Sequence, residues 1–348
     1  MKRILWLFAA VMVAPLWLGT ASAQDKELFI YNWSNYLPPD TLKRFEEETG
    51  IKVTLDVYDS NETMLAKLQA GATGYDIVVP SGYMVRTMIK QNMAEEIDVS
   101  KMANFKNVLK PHDAPPFDPQ SKYSAPYMWG TTGITYDSAR VPGGKLDDSW
   151  KEFFEPRAEL KGQIAALNDQ VEVWNAAAYY LGIDKCTESA ADGQKILDLL
   201  EKQKPMLAMY QSSGTIDRMV AGEVIMHQQW NGASHRVRAK LPSARYLYPK
   251  EGISLWGDHF VVPKGAPHVE NAKIFINWMM DPKNAAEASN FTGYMNAISG
   301  SDKYLDDSLK SDPAVNMPAD YAGRLRPTKD CSKASRELRD KVWTRLKK

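Results

Sequence analysis

An alternation of strand-like and helical patterns after residue 26 restricts the fold of this chain more than any other feature. Residues 27–31 are strand-like, and residues 40–50 place leucine and phenylalanine on one helical face. Residues 51–57 alternate as a second strand, and residues 60–71 form a second helical pattern. Residues 75–79 are a short apolar run of the kind buried in a parallel sheet. The pattern predicts βαβαβ, an open α/β lobe.

The ends of the two helices carry recognisable signals. Asp40 is expected to cap the first helix, and Gly50 to end it. Ser60 or Asn61 is expected to cap the second helix, before Gly71.

The rest of the chain is long enough for a second lobe. Residues 126–136 read as an extended segment with glycines, which suits a crossing between lobes. Helices are predicted around 172–181, 189–203 and 214–222, and strands at 224–226, 244–248 and 259–262. About 325 residues follow residue 23, which is more than one hydrophobic core usually holds, so two lobes are expected.

The first residues have the composition of an export signal. Lys2 and Arg3 precede an apolar stretch over residues 4–18, and residues 21–23 read Ala-Ser-Ala, a cleavage pattern that places the mature start near Gln24. A membrane anchor is the alternative, and the short apolar run speaks against it. The sequence predicts a signal peptide over residues 1–23 and a periplasmic protein.

Net charge and motifs exclude several classes of function. Without residues 1–23 the chain keeps 41 basic against 43 acidic residues, a net charge of −2 that does not favour nucleic acid as a partner. The sequence lacks the nucleophile-elbow, zinc-protease, dinucleotide and P-loop motifs, and its five histidines are scattered. We therefore expect neither an enzyme, nor a metal site, nor a cofactor.

Aromatic residues beside acids are what the sequence offers for a binding site. These are Trp33, Tyr83, Trp230, Trp256 and Tyr294, with Asp169, Glu172 and Asp258 as acids. A protonated amine on a methylene chain needs this combination, because carboxylates bind the ammonium and flat rings contact the chain. The alternative is that the tryptophans are core residues and the acids are solvated. Residues 33–36 and 81–83 also follow strands, where ligands of open α/β sheets bind.

In the segments that carry these aromatic and acidic residues, the chain resembles the periplasmic spermidine- and putrescine-binding proteins. These are the polyamine receptors of ABC importers and have the type II solute-binding fold. The likeness runs over essentially the whole mature chain and is most specific at residues 31–36, 59–62, 76–81, 126–133 and 248–252. It implies a ligand-binding monomer that closes around a small cationic amine and delivers it to a membrane permease.

The resemblance also implies an architecture and a site. Two α/β lobes would be joined by a hinge of two crossing strands, with lobe one at residues 24–133 and 256–303 and lobe two at residues 137–252 and 304–348. The ligand-binding residues would be Trp33, Ser34, Asn35, Tyr36, Ser81, Tyr83, Asp169, Glu172, Trp230, Trp256, Asp258 and Tyr294.

Two positions depart from the family pattern. Asn35 stands where polyamine binders usually carry an acid, and Ala233 stands where the putrescine type has aspartate. The two ends of the cleft should therefore differ in negative charge. We expect weak putrescine binding and a preference for spermidine or for a ligand with one cationic and one neutral or polar end. Agmatine, an amino-acid derivative and an opine-like compound remain alternatives. A ferric-ion binder is disfavoured, because its tyrosine pair would be Tyr179 and Tyr180 in an apolar helical run.

The only cysteines are Cys186 and Cys331. In an oxidising compartment two cysteines are more often a disulfide than two free thiols. The family topology returns the C-terminal segment to lobe two, so the bridge is expected there.

Overall fold

The computed structural model describes residues 26–71 and 74–348. The signal peptide predicted for residues 1–23 lies outside them. Within the described ranges, no helix is long and apolar enough to cross a membrane.

The strands described are β1 (Glu27–Trp33), β2 (Lys52–Tyr58), β3 (Ile77–Val78), β4 (Ser124–Asp137), β5 (Ile164–Ala166), β6 (Leu207–Tyr210), β7 (Met226–Trp230), β8 (Ala244–Leu247), β9 (Ile253–Val261), β10 (Met295–Asn296) and β11 (Leu325–Pro327). The α-helices described are α1 (Pro39–Thr49), α2 (Asn61–Gln69), α3 (Gly82–Lys90), α4 (Lys151–Phe154), α5 (Gln170–Leu181), α6 (Ala190–Gln203), α7 (Thr215–Val220), α8 (Asn231–Lys240), α9 (Val269–Met279), α10 (Pro282–Thr292), α11 (Asp307–Ser311) and α12 (Lys333–Leu346).

The sheet has the mixed α/β architecture expected from the sequence. Its main path runs β2-β1-β3-β9-β4-β7-β5-β6. β1 is parallel to both β2 and β3, so the first part of the chain forms the predicted βαβαβ unit. β9 is antiparallel to β3 and to β4, and β4 continues antiparallel to β7. The two long strands β4 and β9 thus occupy the centre of the sheet.

Two hydrophobic cores lie at the two ends of β4. Tyr127 and Met128 belong to one core, together with residues of β1, α9 and α10, whereas Ile134 and Tyr136 belong to another with residues of α5 and α6. Because β4 enters both cores, it connects them directly. Two cores support a division into two lobes, and the predicted lobe limits stay a prediction.

One local prediction was wrong. Asp40 does not cap α1, since the helix begins with Pro39 and the N-cap position is Pro38, which offers no side-chain hydrogen bond. The predicted second strand is confirmed as β2, in which Leu55 and Val57 are 38% and 49% exposed because β2 lies at the sheet edge. Ser60, as expected, caps α2 by accepting from the backbone N–H of Thr63.

The predicted disulfide is present. Cys186 and Cys331 are joined, with their Cα atoms 5.1 Å apart. Cys186 lies before α6 and Cys331 before α12, so the bridge ties the starts of two packed helices. The helices approach closely, since a Cβ added at Gly193 would lie 2.7 Å from the Leu338 side chain. The C-terminal helix is therefore held by both packing and a covalent bond.

We predict that the unfolded, unreduced protein has no thiol that reacts with a labelling reagent. The bridge closes a sequence separation of 145 residues, and the chain-entropy model gives an upper contribution of about 5 kcal/mol for a loop of that length. Replacing both cysteines by serine should therefore lower the free energy of unfolding, measured by urea titration against the parent. Two labelled thiols in the unreduced protein would contradict the prediction.

Candidate binding site

A cavity of about 280 Å³ lies between the two cores, and every residue predicted for the site lines it. These are Trp33, Ser34, Asn35, Tyr36, Ser81, Tyr83, Asp169, Glu172, Trp230, Trp256, Asp258 and Tyr294. Further lining residues that the sequence analysis did not assign to the site are Asn61, Val171, residues 212–217, Arg236, Lys240, Thr292 and Thr328. The structure thus brings together residues far apart in sequence, and their binding roles stay a prediction.

The carboxyl end of β1 positions the first group. Trp33 is the last residue of the strand, and its indole Nε1 donates to the Val79 carbonyl at 2.8 Å, just beyond β3. The Tyr58 hydroxyl donates to the same carbonyl at 2.7 Å. Asn35 follows in the left-handed region with φ of 56°, a conformation that asparagine tolerates better than most residues. This turn directs the chain into Tyr36.

Asp258 on β9 is the most firmly held acid of the cavity. Its Oδ1 accepts from the Ser81 hydroxyl at 2.6 Å, and its Oδ2 accepts from the Tyr36 hydroxyl at 2.8 Å. Asn61 orients Ser81 through bonds with its hydroxyl and its backbone N–H. Burial raises the pKa of Asp258 to about 7, while the Ser81 and Tyr36 hydroxyls oppose the shift. The carboxylate therefore has a defined position and a cost of desolvation that a cation would relieve.

Aromatic rings form a wall beside Asp258. Tyr294 packs edge-on against both Tyr36 and Trp256, with ring centroids 5.6 and 5.2 Å apart. The Trp256 indole donates to the Thr132 hydroxyl at 3.0 Å. Gly130 is needed beneath this ring, because an added Cβ would lie 2.8 Å from it. The wall is rigid and apolar, which suits a methylene chain.

Glu172 on α5 supplies a second acid. It is 8% exposed, and its Oε2 is buried without a hydrogen-bond partner in the part of the chain that the structure describes. Burial raises its pKa to about 7, against the opposing effects of the Ser254 and Thr132 hydroxyls and of Lys185. An unpaired buried acceptor is costly. A donor from a ligand would remove this cost.

Asp169 and Tyr83 have structural partners of their own. The Asp169 Oδ1 accepts from the backbone N–H groups of Val171 and Glu172 and so caps α5. Burial, followed by the neighbouring acids Glu62 and Glu172, raises the pKa of Asp169 well above its usual value. The Tyr83 hydroxyl donates to Glu62 at 3.1 Å. Glu62 is thus an acid next to the cavity that the sequence analysis did not assign to the site.

Most of the missed lining residues come from two segments that the sequence gave little reason to select. Residues 212–217, between β6 and the first turns of α7, bring hydroxyl groups to the cavity. Arg236 and Lys240 come from α8, which also carries Ala233, the position that the sequence analysis named as a departure from the family pattern. Arg236 and Lys240 lie three and seven residues after Ala233, and this spacing is the signal that could have found them, because such residues share one helical face.

The comparisons with known proteins show the family to which the chain belongs. Residues 40–319 match the family described as bacterial extracellular solute-binding protein. The chain is 32% identical to the putrescine-binding periplasmic protein of Pseudomonas aeruginosa, over 100% of this chain and 99% of that protein. It is 35% identical to the spermidine/putrescine-binding periplasmic protein of Escherichia coli, over 90% of each.

A solved structure described as a spermidine/putrescine ABC transporter from Listeria monocytogenes superposes with a TM-score of 0.87. It has 32% sequence identity and covers 92% of this chain and 99% of its own. These relatives are named for binding and transport, in agreement with the expectation that the chain is not an enzyme. The chain belongs to the bacterial extracellular solute-binding proteins and has their type II fold.

Proposed function

We propose that this protein is the periplasmic substrate-binding component of an ABC importer and captures a cationic amine, of the spermidine or putrescine kind, between two lobes. The observation that carries the proposal is the pair of buried carboxylates, Asp258 and Glu172, in one cavity with Trp33, Trp256 and Tyr294. The similarity to proteins named for putrescine and spermidine supports the choice of ligand class. Agmatine, an amino-acid derivative or an opine-like compound is the alternative.

The site can supply enough free energy for uptake at low concentration. A hydrogen bond to a charged group contributes about 1.5–3 kcal/mol, and a desolvated cation–π contact up to about 2 kcal/mol. A few of these together reach about −8 kcal/mol, which corresponds to a micromolar dissociation constant. The ligand would close the two lobes as a monomer, and the closed form would be delivered to the membrane permease.

We predict that Asp258→Asn weakens binding of spermidine or putrescine by about ten- to a hundredfold, since it removes one charge-assisted bond of about 1.5–3 kcal/mol. Isothermal calorimetry on the purified protein measures the change. Folding should survive, because the amide keeps the shape of the carboxylate, and one of the Ser81 and Tyr36 hydroxyls can rotate to accept from its NH2 group while the other still donates to its carbonyl oxygen. Asp302→Asn is the control, since Asp302 is exposed and outside the cavity lining. Equal affinity of Asp258→Asn and the parent would refute the assigned ligand class.

Binding should also depend on pH with a defined sign. Without ligand, Asp258 and Glu172 have pKa values raised to about 7, so both are partly protonated at neutral pH. An ammonium favours the ionised carboxylates and lowers these pKa values. Binding near pH 7 should therefore release protons, and affinity should rise as the pH increases from about 5 to 8, where alkyl ammonium groups stay charged.

Calorimetry at one pH in two buffers of different ionisation enthalpy measures the proton release. In Asp258→Asn the release should fall, because one of the two titrating carboxyls is gone. An affinity that stays constant between pH 5 and 8 would show that these carboxyls do not bind the ammonium.

A further inference from the structure

One face of α8 gives the cavity a positively charged side. Ala233, Arg236 and Lys240 all line the cavity and lie on one stripe of the helix. None of the three is an acid, and Asn35, which lines the cavity near Arg236, is neutral. The groups on this side therefore differ in charge from Asp258 and Glu172.

Arg236 is available to a ligand. Its Nη1 donates to the Asn35 carbonyl at a long 3.5 Å, and its guanidinium lies 4.9 Å from the ring centroid of Phe291. Over residues 26–71 and 74–348, no carboxylate lies within ion-pair distance of Arg236 or Lys240. Burial lowers the pKa of Arg236, and Tyr294 and Asp217, both of which also line the cavity, oppose that shift. A half-buried guanidinium that forms no ion pair is a ready partner for an anionic group.

Tyr294 lies between the positive and negative sides. Burial raises the pKa of Tyr294, while Arg236 lowers it and Asp258 raises it. The ring is thus close enough to both charges to respond to each. Gly232, in the first turn of α8, packs directly on this ring, because an added Cβ would lie 2.4 Å from it. A short ligand along the aromatic wall would have one end near Asp258 and the other near Arg236.

We propose that the cleft binds a ligand with an ammonium at one end and a carboxylate at the other, an ω-amino carboxylate, whose carboxylate pairs with Arg236. The proposal rests on the proposed function for its ammonium end. Lys240, exposed at the end of α8, adds positive potential on the same side. A diamine of equal length would instead place its second ammonium beside the two cations Arg236 and Lys240, with Asp217 as the lining acid that acts on Arg236. The excess of positive charge on this side is a penalty against that ligand.

A purely structural role of Arg236 makes a different prediction. Arg236 contacts Asn35 and Phe291, which belong to predicted lobe one, whereas Arg236 belongs to predicted lobe two. If Arg236 served only to hold the lobes together, its removal would weaken all ligands by the same factor. Selectivity between two ligands of equal length separates the two roles.

The test is calorimetry with pairs of compounds matched in length. 4-Aminobutanoate is compared with 1,4-diaminobutane, and 5-aminopentanoate with 1,5-diaminopentane, with butylamine as the compound that has only the ammonium end. We expect at least one ω-amino carboxylate to bind about tenfold or more tightly than its diamine, as one charge-assisted pair would give. Tighter binding of both diamines by the parent would overturn the proposal.

Variants assign the selectivity to Arg236. Arg236→Gln should weaken the ω-amino carboxylate by about tenfold or more and leave butylamine unchanged, and Arg236→Glu should reverse the preference toward the diamine. Arg245→Gln is the matched control, because Arg245 also bonds only backbone carbonyls and lies outside the cavity lining. An equal loss for all compounds in Arg236→Gln would show a lobe contact only and would overturn the proposal.

Failure of the proposed function has a separate readout. In one outcome, diamines and spermidine bind, Asp258→Asn weakens their binding, and Arg236→Gln does not change selectivity. The amine-binding function then stands, and the pairing of a ligand carboxylate with Arg236 is refuted. If Asp258→Asn leaves butylamine and both ligand series unchanged, or if no amine binds the parent, both proposals fail.

Discussion

The antiparallel pairing of β4 with β9 is the interaction on which the rest of the structure depends. The paired residues run from Ser124 with Val261 to Thr132 with Ser254, so the two strands stay together from one hydrophobic core toward the other. Trp256 and Asp258 are on β9 within this paired stretch, and Gly130 lies opposite Trp256. The strands that connect the cores therefore also carry the central residues of the cleft, and movement of one core relative to the other would change the cavity between them.

Ionisable side chains on both sides of the cleft are partly removed from water, which disfavours their charged forms. Asp258 and Glu172 are buried acids whose pKa values rise because water is excluded, and burial likewise lowers the pKa of Arg236. Native proteins normally pair such groups internally. Here hydroxyl groups and rings surround these groups, and under the proposed function the compensating charge would come from the ligand. Affinity and selectivity then come from the same desolvated groups.

Much of the fold and most of the predicted cleft could be inferred from sequence, for identifiable reasons. Ligand-facing segments follow strand ends, and Trp33 and Ser81 were found because β1 and β3 have recognisable apolar runs. The prediction that Asp40 caps α1 was wrong because Pro38 and Pro39 already define the start of the helix. Arg236 was missed because its significance is the absence of an acid partner, which only a three-dimensional arrangement can show. Asp169 was selected as a ligand contact, yet its bonds to the first turn of α5 give its position a structural reason as well.

Asn35, which stands where polyamine binders usually carry an acid, lies beside the positive charge of Arg236 in the structure. Asn35 has a positive φ, but aspartate tolerates that conformation about as well as asparagine. The backbone therefore does not require an amide here, and the loss of negative charge has a different cause. The Asn35 carbonyl already accepts from Arg236, so an acid at this position would stand beside the guanidinium and pair with it. The neutral side chain of Asn35 leaves Arg236 without an ion pair to this segment, which is the condition that the proposed pairing of Arg236 with an anionic group of the ligand requires.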